Sequence, residues 1–253
     1  MTVKDLYSIF SERIPEELSE EWDNDGLMCS PDTSVEVRRV LVALDVTEEI
    51  VDYAIEQCFD LIISHHPLIF RPVSAINEDN HTARKIIKLI ESGISVFSFH
   101  TRADKVMGGV NDQLCDLIGM FDTKPFSPDM IGRIGELDDE LTLEDFAYKI
   151  KIATGSDFVR YADGYNKVKR VAVVGGDGKD YIKSAIAAGA DTYLSGRLSY
   201  NSMAEAAEMG INLVEAGHFF TEHPVTSFFQ SIVTKADSDI YVEIASSNNI
   251  TTI

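Results

Sequence analysis

The segment Val40–His66, VLVALDVTEEIVDYAIEQCFDLIISHH, decides the fold. Its first part, Val40–Asp45, is apolar and rich in β-branched residues, which predicts a buried strand, and Thr47 can cap the helix that follows. Asp60–Ser64 has the composition of a second buried strand. Because a strand, a helix and a strand in succession form a βαβ unit, this segment predicts a parallel sheet covered by helices.

The alternation continues on both sides of this segment. A helix is predicted over Thr82–Ser92, Gly93 ends it, and Ile94–His100 is another strand. Towards the N-terminus, Thr2–Ser11 has apolar residues at helical spacing and predicts an amphipathic helix. The first part of the chain therefore predicts a βαβαβ unit.

This unit occurs a second time in the sequence. One separation of 131 residues relates three pairs: Val40 and Val171, Asp60 and Asp191, Ser64 and Ser195. Gly93 and Gly210 are 117 residues apart, so the first copy contains 14 additional residues, which fall within Pro67–Asn80. The repeat predicts an α/β fold of two related βαβαβ lobes, an internal duplication, that face each other.

The repeat also sets the expected domain organisation. We expect residues 1–122 to form the first α/β lobe with its N-terminal helix, residues 123–167 to form a connector packed on the core, and residues 168–253 to form the second lobe. In sheets of this kind ligands bind beyond the carboxyl ends of the strands.

The first predicted strand end of this kind carries adjacent histidines, His65 and His66, followed by Pro67. Successive side chains of a strand point to opposite sides, and Pro67 keeps His66 extended. That geometry suits two neighbouring metal ions. A polar strand end that happens to carry histidines is the alternative.

Two further strand ends carry similar side chains. The first is the segment from His100 to Asp104, and the second is Glu215–His218, with Glu222 four residues on. Four of the six histidines in the chain lie at these three strand ends. Because imidazole and carboxylate together suit divalent first-row metals, the clustering predicts a metal site.

Pro224 constrains the last cluster. Proline is tolerated in the first turn of a helix, so we expect a helix over Pro224–Ile232 that begins near Thr221. Glu222 then lies in its first turn and His218 in the preceding loop, where both can reach one site. Compensation of the helix dipole is the alternative role of Glu222.

Three other segments leave their roles open. Gly108–Asp112 can form a tight turn or bring backbone N–H groups to an anion, and we favour the turn. Gly175–Lys179 is only loosely similar to a phosphate loop. In Trp22–Leu27, Asp23 and Asn24 can cap the sheet or serve as outer partners of the metal ligands.

Composition excludes several classes of function. The formal charge is −20, which disfavours nucleic acid and anionic membranes as primary partners. Three well-separated cysteines indicate no disulfide framework, and no apolar run is long enough to span a membrane. We expect a cytoplasmic location.

The motifs together resemble those of the NIF-three-like family, also labelled GTP cyclohydrolase I type 2 and domain of unknown function 34. The resemblance rests on five segments: Trp22-Asp23-Asn24-x-Gly26-Leu27, Ser64-His65-His66-Pro67, His100-Thr101-x-x-Asp104, Gly108-Gly109-Val110-Asn111-Asp112 and Gly217-His218-x-x-Thr221-Glu222. The resemblance covers almost the whole chain, and the five segments occur in the order typical of the family.

The resemblance implies two α/β lobes that enclose a dinuclear metal site. Its implied ligands are His65, His66, Asp104, His218 and Glu222, with Glu222 bridging. It further implies two divalent ions per subunit (Zn, Fe or Mn) and a homo-oligomer, a ring-shaped hexamer. The chain departs from the family pattern at Arg102, Ala103 and Arg197; the two arginines can bind a phosphate or pair with acidic side chains.

Two functional hypotheses follow. The first is a metal-dependent hydrolase acting on a nucleotide, as in the opening of a purine ring, or on a phosphoester, with His100 or Glu215 as general base or orienting group. The second is a non-catalytic metal-binding scaffold or regulatory interaction protein. Open coordination positions favour the first.

Overall fold

A computed structural model describes residues 1–251 of the chain. Its helices are α1 (Val3–Arg13), α2 (Glu48–Glu56), α3 (His81–Glu91), α4 (Thr101–Lys105), α5 (Val110–Ile118), α6 (Leu143–Thr154), α7 (Ile182–Ala187), α8 (Tyr200–Ala204), α9 (Ala206–Met209), α10 (His218–Glu222) and α11 (Val225–Ala236). Its strands are β1 (Gly26–Cys29), β2 (Arg39–Ala43), β3 (Leu61–Ser64), β4 (Ser95–Ser98), β5 (Met120–Pro125), β6 (Arg133–Leu141), β7 (Arg160–Ala162), β8 (Val168–Val174), β9 (Thr192–Ser195), β10 (Asn212–Glu215) and β11 (Tyr241–Ile244). Short 3₁₀ turns lie at Glu16–Leu18 and Lys179–Tyr181. The fold is mixed α/β with two sheets.

Internal contacts divide the described chain into two units. The first contains Met1–Val106 and Val225–Asn249, and the second is built on Met107–Pro224. These bounds differ from the expected divisions at residues 122 and 167. The reason is that β11 returns to pair with β2, while β5 and β6 of the expected connector join the sheet of β8. Residues 252 and 253 of the expected second lobe lie outside the described residues.

The first unit is a sheet with helices on both faces. Within residues 1–251 its strand order is β1-β4-β3-β2-β11, parallel except for the antiparallel edge strand β1. Leu41 and Ile62 pack with α2 and α3 on one face. On the other face, the Phe10 ring of α1 stacks on Phe99 at 5.0 Å. Burial on both faces explains why β2 and β3 are apolar without alternation.

The second unit contains the other sheet, with the order β5-β6-β8-β9-β10-β7 among the described strands. Its central strands β8, β9 and β10 are parallel. Val171 and Val173 face α5 and α6, whereas Ala172 and Val174 face α7. This sheet too has a core on each face, as the predicted parallel strands require.

In both units an aspartate carboxylate accepts hydrogen bonds from the backbone at the start of a parallel strand. The Asp60 carboxylate accepts the backbone N–H groups of Arg38 and Arg39, each at 2.8 Å. The Asp191 carboxylate accepts those of Lys169 and Arg170, at 3.1 and 2.7 Å. Equivalent residues of the two units are 131 positions apart: Asp60 and Asp191, Arg38 and Lys169, Arg39 and Arg170.

The prediction of one helix that begins near Thr221 is wrong in its bounds. His218 and Glu222 are the first and last residues of the short helix α10, and α11 begins only at Val225, after Pro224. Thr221 does not cap a helix, because its hydroxyl accepts the N–H of Gly176 at 3.1 Å. His218 therefore lies one helical turn before Glu222 rather than in a loop.

No helix among the described residues is long and apolar enough to cross a membrane.

Candidate metal centre

The end of β3 holds the histidine pair rigidly. Ser64 is fully buried, and its Oγ lies 2.8 Å from the carbonyl oxygen of His66 and 2.8 Å from Oγ of Ser98. The N–H of His66 donates to the carbonyl of Leu44 at 2.9 Å. The backbone at His65 and His66 is thus fixed by the neighbouring strands β2 and β4.

Three histidine rings of the first unit are oriented through the same ring atom. Each ring places Nδ1 against an oxygen acceptor: His65 against the Phe99 carbonyl at 2.9 Å, His66 against Asp45 at 2.7 Å and His100 against Asp23 at 2.8 Å. A carbonyl or carboxylate oxygen only accepts, so Nδ1 carries the proton in each neutral ring. The lone pair of each ring is then on Nε2, as in histidines that bind metals with an outer hydrogen-bond partner.

The same three rings converge. One ring nitrogen from each of His65, His66 and His100 lies within 4.8 Å of those of the other two. The Asp104 carboxylate approaches Nε2 of His65 to 3.7 Å, and the His65 side chain is completely buried. A neutral Nε2 and a carboxylate oxygen both offer lone pairs, so their proximity favours a shared cation. The structure thus gathers His65, His66, Asp104 and also His100.

Asp23, whose role the sequence left open, is the partner that orients His100. Its second oxygen accepts the N–H and the hydroxyl of Thr101, at 3.0 and 2.7 Å. Although burial opposes it, the hydrogen bond and charge of His100, with the bonds from Thr101, hold the pKa of Asp23 well below its usual range. Asn24 instead donates to the carbonyl of Ile69 and so anchors the loop that follows His66.

The pKa of His100 is raised. Burial on its own would lower it, but the hydrogen bond to Asp23 and the negative charges of Asp104 and Asp23 outweigh burial. The acidic surroundings that raise this pKa also favour any other cation at the ring.

The other predicted ligands, His218 and Glu222, lie together in the second unit. His218 Nε2 is 2.8 Å from Oε2 of Glu222, one turn along α10, and the Glu222 side chain is almost fully buried. The loop at Gly176 passes directly over them: a Cβ there would lie 2.0 Å from Oε1 of Glu222. Gly175 and Gly176 therefore serve close packing against α10, with Gly176 at φ +67°, whereas Gly178 packs against Tyr193 and Ser195.

Both carboxylate oxygens of Glu215, the other candidate for proton transfer, accept hydrogen bonds. One accepts from Nε of Arg160 at 3.0 Å, and the other accepts the N–H of Leu198 at 2.7 Å. These bonds join β10 to β7 and to the loop after β9.

The two arginines that depart from the family pattern differ from each other. Arg102 is buried, forms a 3.0 Å ion pair with Asp25 and lies over the Phe99 ring. Arg197 is 71% exposed and 3.8 Å from Asp177. Arg102 thus pairs with an acid, the second of the two roles that the sequence allowed, and is not placed to bind a phosphate.

Sequence reasoning missed Asp45. It follows β2 and bonds His66, while Ser247 donates to its other oxygen at 3.0 Å. The signal was available, because Asp45 closes the strand beside the one that ends in the histidine pair.

The fold and these side chains define a mixed α/β protein with two sheets and groups of histidine and carboxylate donors that can bind metal. The model of the family Duf34/NIF3 (NGG1p interacting factor 3) matches residues 1–252. The chain belongs to the DUF34/NIF3 family.

Relatives and solved structures agree with this assignment. A Clostridium perfringens protein named GTP cyclohydrolase 1 type 2 homolog is 37% identical over 248 residues, covering 95% of this chain and 94% of its own length. The crystal structure of a Staphylococcus aureus hypothetical protein is 28% identical, with a TM-score of 0.90 and coverage of 100% and 99% of the two chains. The crystal structure of a Bacillus cereus protein related to NIF3 is 25% identical, with a TM-score of 0.89 and the same coverage.

Proposed function

We propose that this chain is a metal-dependent hydrolase that holds two divalent ions and acts either on a nucleotide, by opening its purine ring as a GTP cyclohydrolase does, or on a phosphoester. The proposed ligands are His65, His66, Asp104, His218 and Glu222. The observation that carries the proposal is the common orientation of the three rings of the first unit, which turns Nε2 of each away from its Nδ1 partner. The name GTP cyclohydrolase 1 type 2 homolog, borne by relatives, supports a nucleotide substrate.

The donor set fits the proposed cofactor. Neutral imidazole nitrogens combined with carboxylate oxygens suit zinc, iron or manganese better than calcium or magnesium, which prefer oxygen ligands alone. When bound, such ions supply Lewis acidity and positive charge for a developing oxyanion or phosphate.

The side chains around the donors have their own tasks. Asp45 and Asp23 hold a proton on Nδ1 of His66 and His100 and so keep Nε2 available. His100 is the better of the two candidates for a general base, because the oxygens of Glu215 already accept from Arg160 and Leu198. In this proposal Glu215 shapes the second unit and His100 takes a proton from the reacting water.

Two further features belong to the proposal. The matched carboxylate bonds of Asp60 and Asp191 support an origin of the two sheets by internal duplication. We also propose a homo-oligomer, a hexameric ring, for which sedimentation would give six times the subunit mass of 28.1 kDa.

Elemental analysis of the purified protein tests the proposal. The parent should contain close to two divalent ions per chain, and His65→Ala and Glu222→Ala should each lose metal and hydrolysis of GTP. His81→Ala, which removes an exposed histidine of α3, is the matched control for metal content. Full metal content with no hydrolysis of nucleotides or phosphoesters would favour the non-catalytic scaffold instead. Little metal in the parent, even after reconstitution, would refute the metal site.

A further inference from the structure

A cavity of about 420 Å³ lies in the first unit, beside the start of α3. Its walls come from the segment that follows His66, including Phe70 and Arg71, and from the first turns of α3, including His81 and Lys85. The volume is in the range of small-molecule sites. The first of these segments lies in Pro67–Asn80, the insertion that distinguishes the first sequence repeat from the second. The insertion thus builds a cavity next to the histidine pair.

The charge of this cavity is opposite to that of the chain. Arg71, His81 and Lys85 line it, and none of the described residues in its wall is Asp or Glu. The whole chain, by contrast, has 42 acidic and 22 basic residues. A basic cavity in such a protein attracts an anion against the overall field.

The basic side chains of the cavity differ in how far they are engaged by other groups of the protein. Lys85 Nζ donates to the backbone carbonyl of Val46 at 2.6 Å. Burial lowers the pKa of Lys85, and the charges of Asp45 and Glu48 act in the opposite direction. Arg71 is exposed, and no ion pair with an acidic side chain is found for it among the described residues. Arg71 is therefore the cation with most freedom to bind an anion.

One ring, that of Phe70, both lines the cavity and lies near the histidine cluster. Phe70 lines the cavity, and its ring centroid lies 5.9 Å from that of His100 and 6.3 Å from that of Trp22. Trp22 is 63% exposed and Phe70 45% exposed. Large aromatic side chains with this exposure offer a surface for a planar ring.

We propose that this cavity binds the phosphate of the substrate, a phosphomonoester whose planar ring packs on Trp22 and Phe70 with its far end towards His100. Arg71 binds the phosphate through its guanidinium fork, Lys85 adds positive charge, and a ring nitrogen of His81 can donate a hydrogen bond to a phosphate oxygen. The proposal rests on the proposed function for the reaction, but the binding it describes is separate from metal binding.

The test compares ligands that differ only in the phosphate. Trp22 is the only tryptophan of the chain, so its fluorescence reports binding at the aromatic pair. We expect the parent to bind guanosine 5′-monophosphate more tightly than guanosine. Arg71→Gln should weaken binding of the monophosphate about fivefold to tenfold and leave guanosine unchanged. Arg13→Gln, the same change at an exposed arginine of α1 outside the cavity, should alter neither affinity.

Metal content measured on the same samples separates the two proposals. Equal metal in parent and Arg71→Gln, together with the selective loss of monophosphate affinity, supports the cavity as the phosphate site. Unchanged monophosphate affinity in Arg71→Gln overturns this proposal. Monophosphate binding that is lost on removal of metal by a chelator and is the same in parent and Arg71→Gln also overturns it, because the phosphate would then be bound by metal. If the parent contains no metal but Arg71→Gln still weakens monophosphate binding, the cavity is supported as the phosphate site and the proposed metal-dependent hydrolase is refuted.

Discussion

At the scale of single residues, the candidate centre is organised by oxygen atoms behind the histidines. Asp23, Asp45 and the Phe99 carbonyl each occupy Nδ1 of one ring, which fixes both the tautomer and the direction of Nε2. Histidine at a strand end is common, but a ring held through Nδ1 keeps Nε2 available, for a metal ion at His65 and His66 and for a proton at His100.

Replacing Asp45 tests this arrangement. Asp45→Asn removes the negative charge beside His66, a proposed ligand, and weakens the bond that orients its ring, so we expect zinc affinity to fall about 10- to 100-fold. Isothermal titration calorimetry of chelator-treated protein measures the change. Asp32→Asn, at an exposed carboxylate whose hydrogen bonds within residues 1–251 are with Ser34, should retain the parent affinity.

The pH dependence of hydrolysis follows from His100, the proposed general base. Its raised pKa means that a proton occupies the ring up to a higher pH than in a free imidazole, and a protonated ring cannot accept the proton of the reacting water. The rate of hydrolysis should therefore fall as pH falls, and the fall should begin above pH 6.5, the usual imidazole pKa. In Asp23→Asn the onset should move to lower pH. A rate that stays constant from pH 8 to about pH 5 would contradict the role of His100 as general base.

At the scale of elements, the loop Gly175–Lys179 and helix α10 depend on each other. The loop contributes the N–H that Thr221 accepts, and Gly176 allows the backbone to pass against Glu222. The short helix ends because Pro224 cannot continue it, so His218 and Glu222 are held on a single turn.

Substitution of Gly176 should therefore affect both stability and metal content. Gly176→Ala places a Cβ against the Glu222 carboxylate and strains a backbone at φ +67°, which we expect to cost roughly 2–4 kcal/mol of unfolding free energy and to lower metal content. Urea unfolding and elemental analysis measure the two effects. Gly93→Ala is matched in φ, +76°, but the added Cβ meets no atom within 4 Å among the described residues beyond its chain neighbours. It should lose only about 1–2 kcal/mol and keep its metal.

At the scale of the whole molecule, the chain contains two sheets whose parallel strands are tied by equivalent aspartates. Asp60 and Asp191 each accept two backbone N–H groups at the start of a central strand. Unsatisfied backbone donors are costly at such positions, so the two carboxylates contribute to stability independently of any bound ligand.

A pair of variants tests their equivalence. Asp60→Ala and Asp191→Ala should each lower the free energy of unfolding by about 1–3 kcal/mol, because each leaves two N–H groups without their acceptor. Chemical denaturation followed by circular dichroism gives the values, and Asp116→Ala, at an exposed site on α5, should differ little from the parent. A large loss at one aspartate and none at the other would count against a shared structural role.

The sequence determined the parallel strands, the helices between them and the residues that close each strand, because hydrophobic periodicity and caps are local properties of the chain. It predicted that His65, His66 and Asp104 come together, and the first unit brings them together. Local pattern could not supply partners that lie far apart: Asp23 is 77 residues from His100, and Ser247 is 202 residues from Asp45.

Tertiary structure alone decided the remaining features. In the tertiary structure β11 pairs with β2 of the first sheet, and Arg102 is buried in an ion pair with Asp25. The Pro67–Asn80 insertion forms one wall of the basic cavity. In each case the outcome depends on which surfaces meet once the sheets are formed, since burial and hydrogen bonding, rather than sequence spacing, select the partner of a polar side chain.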